Sequence, residues 1–195
     1  MEKERTTAMN DLIAQFENER NILIYGEVNA EMALRVMLLL RKFDQDDPDE
    51  PIYLYINSPG GNVSDGLMIV DNMDLVHAPV YTVVVGLAAS MGAVIATAGE
   101  KGHRYILANS QLMIHQPWNN INSGAGIKQS DMAAMAKELT NTRNKLERVM
   151  QRNANVSLEE IHNACELDNF LDPDEAIAMG LCDKVIQGNK TGKVE

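Results

Sequence analysis

The stretch from Val80 to Ala98, VYTVVVGLAASMGAVIATA, holds 19 residues without a charge and constrains the fold more than any other. Its composition changes partway along. Val80 to Val85 is β-branched and aromatic, which predicts a buried strand. From Gly86 the residues become small and helix-tolerant: Ala88, Ala89, Ser90, Met91, Gly92, Ala93. A strand that turns sharply into a helix lifts the turn residue clear of the sheet. It also sets that residue beside backbone N–H groups with no partner inside the helix. This is the pattern of a nucleophile elbow, with Ala88 in place of the usual first glycine and Gly92 as the second. Two plainer explanations compete. The stretch is long enough to span a bilayer, although Ser90, the glycines and the strand-like first half oppose that. A serine among alanines also commonly serves helix packing.

The 195 residues, 45% of them hydrophobic, can bury one domain core. A net charge of −11, with 17 basic residues scattered among 28 acidic ones, disfavours nucleic acid and anionic membranes as partners. Cys165 and Cys182 form neither a CxxC nor a Cys/His ligand pattern, so reduced thiols are expected, with no disulfide framework and no metal. The first 20 residues lack the apolar core of a secretory signal and predict a polar lead-in with an amphipathic helix from Met9 to Glu19. A cytoplasmic protein is the resulting expectation.

Along the chain, NILIY (21–25) and IYLYIN (52–57) predict buried strands, separated by a helix over Glu31 to Phe43 and an acidic solvated loop from Asp44 to Pro51. The second strand runs into Ser58-Pro59-Gly60-Gly61, with Asn62 or Ser64 as the cap of a helix over Asp65 to Val76. Repeated strand–helix units at this spacing predict an α/β domain with a largely parallel sheet. Short strands follow at 104–107 and 111–116, the latter placing His115 at the end of an apolar run. A histidine there is ordinarily a core or edge residue, and His77, His103 and His162 stand in weaker contexts. A polar loop at 119–126 precedes a long helix over about 128–153. Its Met/Ala/Leu stripe fits packing against another subunit and packing within the chain equally well. Ser157 and Glu160 fit a capping box, a short helix is expected over Pro173 to Met179, and LCDKVI (181–186) predicts a last strand. The polar tail, 188–195, is expected to fray.

Ser90, His115 and an acid such as Asp168 are the parts of a nucleophile, its base and the carboxylate that orients the base. The glycine turn at Gly60-Gly61 and the N–H of Met91 are the candidate oxyanion hole. Their chain order, Ser, His, Asp, differs from that of α/β-hydrolases.

On YLYINSPGG (53–61), GLAASMGA (86–93), MIHQP (113–117) and DNFLDPDEAIAMGLCD (168–183), the chain resembles the ClpP family, proteolytic subunits of ATP-dependent Clp proteases. Four motifs in this order are far more specific than any one alone. The resemblance implies a ClpP/crotonase-type fold over 21–187, with 1–20 as an axial N-terminal segment and 128–153 as a protruding handle helix. It also implies Ser90, His115 and Asp168 as a catalytic triad hydrolysing unfolded polypeptides, and Gly61 and Met91 as oxyanion donors. No metal or organic cofactor is implied. Two stacked seven-membered rings would enclose the sites, and a Clp-family ATPase would dock on the ring faces, where Tyr55 matches a docking position. Three features depart from the family pattern: the N-terminal segment, a longer loop at 118–127, and Leu167 where an arginine is common. A ring subunit that needs a paralogous partner accommodates the last. Crotonase-like acyl-CoA chemistry shares the fold but has no use for a Ser/His/Asp set.

Overall fold

In the computed structural model, residues 2–118 and 128–187 are described, with side chains from residue 8 onward. The loop expected at 119–126 and the tail at 188–195 lie outside the described residues. The chain folds as an α/β domain whose elements alternate as the hydrophobic patterning requires. Helix α1 (Glu2–Asn18) leads into β1 (Asn21–Tyr25), followed by α2 (Ala30–Asp46), β2 (Ile52–Ser58), α3 (Val63–Leu75) and β3 (Val80–Ala89). After α4 (Met91–Thr97) come β4 (Arg104–Leu107), β5 (Gln111–Ile114), α5 (Gln129–Gln151), α6 (Leu158–Ala164), β6 (Asn169–Leu171), α7 (Pro173–Ala178) and β7 (Lys184–Ile186).

Five strands form a parallel path in the order β1-β2-β3-β4-β7. Strand β3 pairs with β4 through Thr82–Val84 and then with β5 through Leu87–Ala89. This handover is where expectation and structure part. The strand does not end at Val85 but continues through the small residues to Ala89. The break falls at Gly86, whose φ of +153° sets its backbone against the Asn57 side chain. The Asn57 Oδ1 then accepts the Leu87 N–H where the β2–β3 register shifts. Alanine and glycine therefore extend the strand here because β5 supplies hydrogen-bond partners that composition alone does not reveal. β5 in turn holds β6 antiparallel, a strand of three residues too short to stand out in the patterning.

One face of the sheet buries Ile22, Ile24, Ile52, Leu54, Ile56, Val84 and Ile106 against α2, α3 and α4. The other face carries Tyr53, Tyr55, Tyr81 and Tyr105, all half-buried. Helix α1 starts at Glu2, well before the expected Met9, and lays Phe16 edge-to-face on Tyr55 with ring centroids 5.1 Å apart. Asn62 caps α3 by accepting the Asp65 N–H, and Ser157 and Glu160 close their capping box. The acidic segment after α2 is not wholly solvated. Asp44 lies within the helix and accepts the Ala78 and His77 N–H groups, which hold its carboxyl below the ordinary range. In α5 the two packing modes divide along the helix. Every residue from Gln129 to Glu138 is exposed, including Met132 and Met135, whereas Leu146 and Met150 join the core.

The last strand is secured by a charge. Arg104 is 1% exposed. Its guanidinium donates to Asp183 through Nε at 2.9 Å and Nη2 at 2.6 Å, and to the Asn153 carbonyl at 3.3 Å. Asp183 also accepts the Gly102 and Arg104 backbone N–H groups. Burial alone would raise the Asp183 carboxyl, but the hydrogen bonds and charge of Arg104 outweigh it and hold it below its ordinary value. A group with a depressed folded-state value stabilises above its unfolded value of about 3.9 and loses that contribution as the pH falls through the folded one. Asp183→Ala strands the Arg104 cation and is expected to lower stability by about 3–5 kcal/mol at pH 7. Denaturant unfolding should further show a shallower loss of stability below about pH 4 in this variant than in the parent.

Candidate active site

Ser90 sits at the junction of β3 and α4 with φ 54° and ψ −121°. This positive φ is rare for a residue with a Cβ and costs on the order of 1–3 kcal/mol. The surroundings hold it in place. The Ser90 N–H donates to the Met113 carbonyl of β5 at 2.9 Å, while its carbonyl accepts the Val94 N–H at 3.1 Å. On the other side the glycine turn after β2 presses against the elbow. A Cβ added to Gly60 (φ +94°) would lie 2.7 Å from the Ser90 Cβ and 2.8 Å from the Ala89 carbonyl oxygen. Only glycine permits that approach.

β5 ends one residue before His115, and Asp168 precedes β6, so the antiparallel β5–β6 pair brings the two side chains together. His115 Nε2 lies 2.9 Å from the Ser90 Oγ, and His115 Nδ1 lies 2.9 Å from the Asp168 Oδ1. A carboxylate on Nδ1 calls for an N–H there, which leaves Nε2 to accept from the serine hydroxyl. The His115 side chain is 14% exposed and that of Asp168 66%. All three residues expected from the sequence meet in one hydrogen-bonded series.

The backbone on the opposite side offers donors. Val28 bridges the glycine turn by donating to the Gly60 carbonyl and accepting from the Asn62 N–H, so the Gly61 N–H takes no part in that bridge. Met91 opens α4, and the first helical bond begins at Val94, so the Met91 N–H has no partner within the helix. A cavity of about 410 Å³ adjoins Ser90. Val63, Val94, Ile114, Trp118, Leu146 and Met150 line it, with Glu27 the one acidic side chain among its lining residues. This apolar lining is not among the features the sequence singles out. Leu146 and Met150 are spaced four apart on α5, which is the signal that they share one face, but nothing local says that the face covers the serine.

Tyr55 stands apart, on the half-exposed face of β2 between Phe16 and Tyr53. Burial, and then the neighbouring Tyr53, push its phenol above the ordinary value. The two cysteines are buried and unbridged, and burial pushes both thiols up to about 12, which leaves them protonated near neutral pH. Among the described residues no group of three or more His, Cys, Asp or Glu side chains is placed to hold a metal, and no helix is long and apolar enough to cross a membrane.

Comparison with known proteins gives a consistent result. The Clp protease family model matches residues 3–189. The ATP-dependent Clp protease proteolytic subunit of Streptococcus suis (strain 98HAH33) is 41% identical over 180 residues, covering 92% of this chain and 91% of the relative. The proteins of the same name from Streptococcus pyogenes serotype M5 and Streptococcus equi subsp. equi match at the same identity and coverage. With the family model spanning nearly the whole chain and relatives 41% identical over 92% of it, the chain belongs to the Clp protease family of serine-type peptidases.

Proposed function

We propose that this chain is a serine endopeptidase subunit that hydrolyses unfolded polypeptides through Ser90, His115 and Asp168. The observation that carries this reading is the series of two 2.9 Å contacts from Ser90 Oγ through the His115 ring to Asp168. In the first step Ser90 Oγ attacks the carbonyl carbon of the scissile bond while its proton passes to His115 Nε2. Asp168 keeps the proton on Nδ1 and stabilises the imidazolium as it forms. Negative charge gathers on the former carbonyl oxygen, where the Gly61 and Met91 N–H groups donate to it; such a donor contributes about 10²–10³ in rate. The tetrahedral intermediate collapses as His115 gives its proton to the departing amine. Water then repeats the sequence on the acyl-serine ester, and His115 returns the proton to Ser90. The apolar cavity takes the side chain on the acyl side of the cleaved bond. No metal or organic cofactor enters these steps.

The relatives are named as ATP-dependent proteolytic subunits, which supports a partner ATPase that unfolds substrates and feeds them to the site. Tyr55, half-exposed beside Phe16, is the residue proposed to meet that ATPase. The projecting first half of α5, with Met132 and Met135 exposed, supports its role as a handle between two stacked seven-membered rings. The first 20 residues would stand toward the ring axis, the protease domain would span 21–187, and the location would be the cytoplasm. A second reading rests on Leu167, which is 81% exposed and puts an apolar side chain beside Asp168. In that reading the chain is a ring subunit whose triad comes into alignment only with a paralogous subunit.

Ser90→Ala is expected to lower cleavage of a short fluorogenic peptide by more than about 10⁴-fold with assembly intact, and retained cleavage would sink the triad reading. Cleavage by the pure parent protein favours the homomeric enzyme, whereas cleavage that appears only on adding a paralogous subunit favours the mixed ring. Tyr55→Ala should weaken co-elution with the partner ATPase at least tenfold in affinity; unchanged co-elution removes Tyr55 from the docking surface.

A further inference from the structure

Asp168 presents a problem of positioning. Its side chain is 66% exposed and, among the described residues, its carboxylate meets His115 alone. Burial therefore does not hold it, and it lies in the short irregular segment between α6 and β6. Its neighbour Leu167 is 81% exposed and adds no polar contact among the described residues. The carboxylate can stay 2.9 Å from the imidazole only if the backbone of 165–168 is fixed from elsewhere.

The fixing groups converge on Gln116 and Arg143. Gln116 follows His115 and donates twice to the segment before Asp168. Its backbone N–H reaches the Cys165 carbonyl at 2.7 Å and its Nε2 reaches the Glu166 carbonyl at 2.9 Å. These two bonds brace the histidine strand against the aspartate segment. Arg143 then fastens the brace to α5. Its Nη2 donates to the His162 carbonyl and to Glu166 Oε1, both at 2.9 Å, and its Nη1 approaches Gln116 Oε1 at 3.4 Å. The guanidinium is itself held by Glu147, which accepts from Nε at 2.6 Å. The Glu147 side chain is only 4% exposed, and His162 Nδ1 lies 3.1 Å from both of its oxygens. A carboxylate so buried requires its cation, so Arg143 has little freedom to leave. Burial alone would make the guanidinium easier to deprotonate, but Glu147 and Glu166 outweigh it and hold the proton more tightly than usual.

We infer that Arg143, locked by Glu147, is the positioning residue that keeps Asp168 against His115. It does so by tying α5, the C-terminal end of α6 and Gln116 into one unit. The inference deepens the proposed function, since it says what aligns that triad from within a single chain. It also joins the alignment to the helix whose first half projects from the domain, so that a shift of α5 is transmitted to the Asp168–His115 contact.

The test uses the full-length protein with Arg143→Gln, Arg143→Lys and, as control, Arg152→Gln, which removes the ion pair of Arg152 with Asp74 at the C-cap of the same helix. Crystal structures of the variants report the Asp168–His115 distance directly, and peptide hydrolysis reports kcat, KM and the pH profile. Arg143→Gln is expected to withdraw Asp168 beyond hydrogen-bond distance and to lower kcat by about tenfold to hundredfold, with KM within about twofold. Arg143→Lys, which keeps the charge but loses the fork, should recover part of the rate and serves if the glutamine variant does not fold. Arg152→Gln should keep the contact, the rate and the parent's pH profile while losing some thermal stability. A retained 2.9 Å contact in Arg143→Gln overturns the inference whatever happens to the rate; if that variant does not fold, a retained contact together with the parent's kcat in Arg143→Lys overturns it. A lost contact with an unchanged kcat upholds it and removes Asp168 from the proposed mechanism.

Discussion

The backbone at Ser90, held at φ 54°, is the constraint around which the molecule is arranged. Left alone, a serine there would relax by on the order of 1–3 kcal/mol into an ordinary conformation. Three things oppose the relaxation. β5 accepts the serine's N–H through Met113, α4 begins at once and uses its carbonyl, and Gly60 occupies the space on the far side. The same contacts that impose the strain bring the chemistry together. β5 ends one residue before His115, and the glycine turn that packs on the elbow leaves the Gly61 N–H clear of its bridge to Val28. Holding the hydroxyl and assembling its partners are thus one structural act.

Much of this was legible in the sequence because the signals are local and physically simple. Strands announce themselves as runs of isoleucine, leucine and tyrosine such as Ile52–Ile56, and the caps at Asn62 and Ser157 follow from residue type and spacing. Ser90, His115 and Asp168 stood out as residue types in motif contexts, and the structure sets them in contact. What was not legible depends on distant partners. The extension of β3 through Ala88 and Ala89 needs β5 to pair with it, and β6 needs the same strand on its other side. Asp44 looked like part of a solvated acidic loop, because the Ala78 N–H it accepts lies 34 residues away in sequence. The lining of the cavity is hidden for a related reason. Leu146 and Met150 belong to a helix whose other half faces away from the domain.

α5 connects the parts. Its exposed first half offers a surface with no partner among the described residues, while its second half contributes Leu146 and Met150 to the cavity beside the serine. In that second half, Arg143 and Glu147 place a charged hub against the segment that carries Asp168. A single helix therefore lines the cavity beside the serine, holds the segment before Asp168 and carries the surface proposed for assembly. In the proposed assembly, a displacement of α5 would therefore reach the proposed triad through packing and hydrogen bonds. The buried Arg104–Asp183 pair serves a different end. It anchors β7 and the C-terminal end of α5 to β4 and bears on stability, at a distance from the chemistry.

The central claim, that Ser90 is a nucleophile made reactive by its fold, is tested most directly by covalent labelling. The pure protein would be treated with a fluorophosphonate and its intact mass measured, with Ser90→Ala treated in parallel. The geometry predicts one adduct per chain in the parent and none in the variant, because only a hydroxyl paired with a base attacks the phosphorus at a useful rate. An unmodified parent, or an adduct that survives in Ser90→Ala, would contradict it.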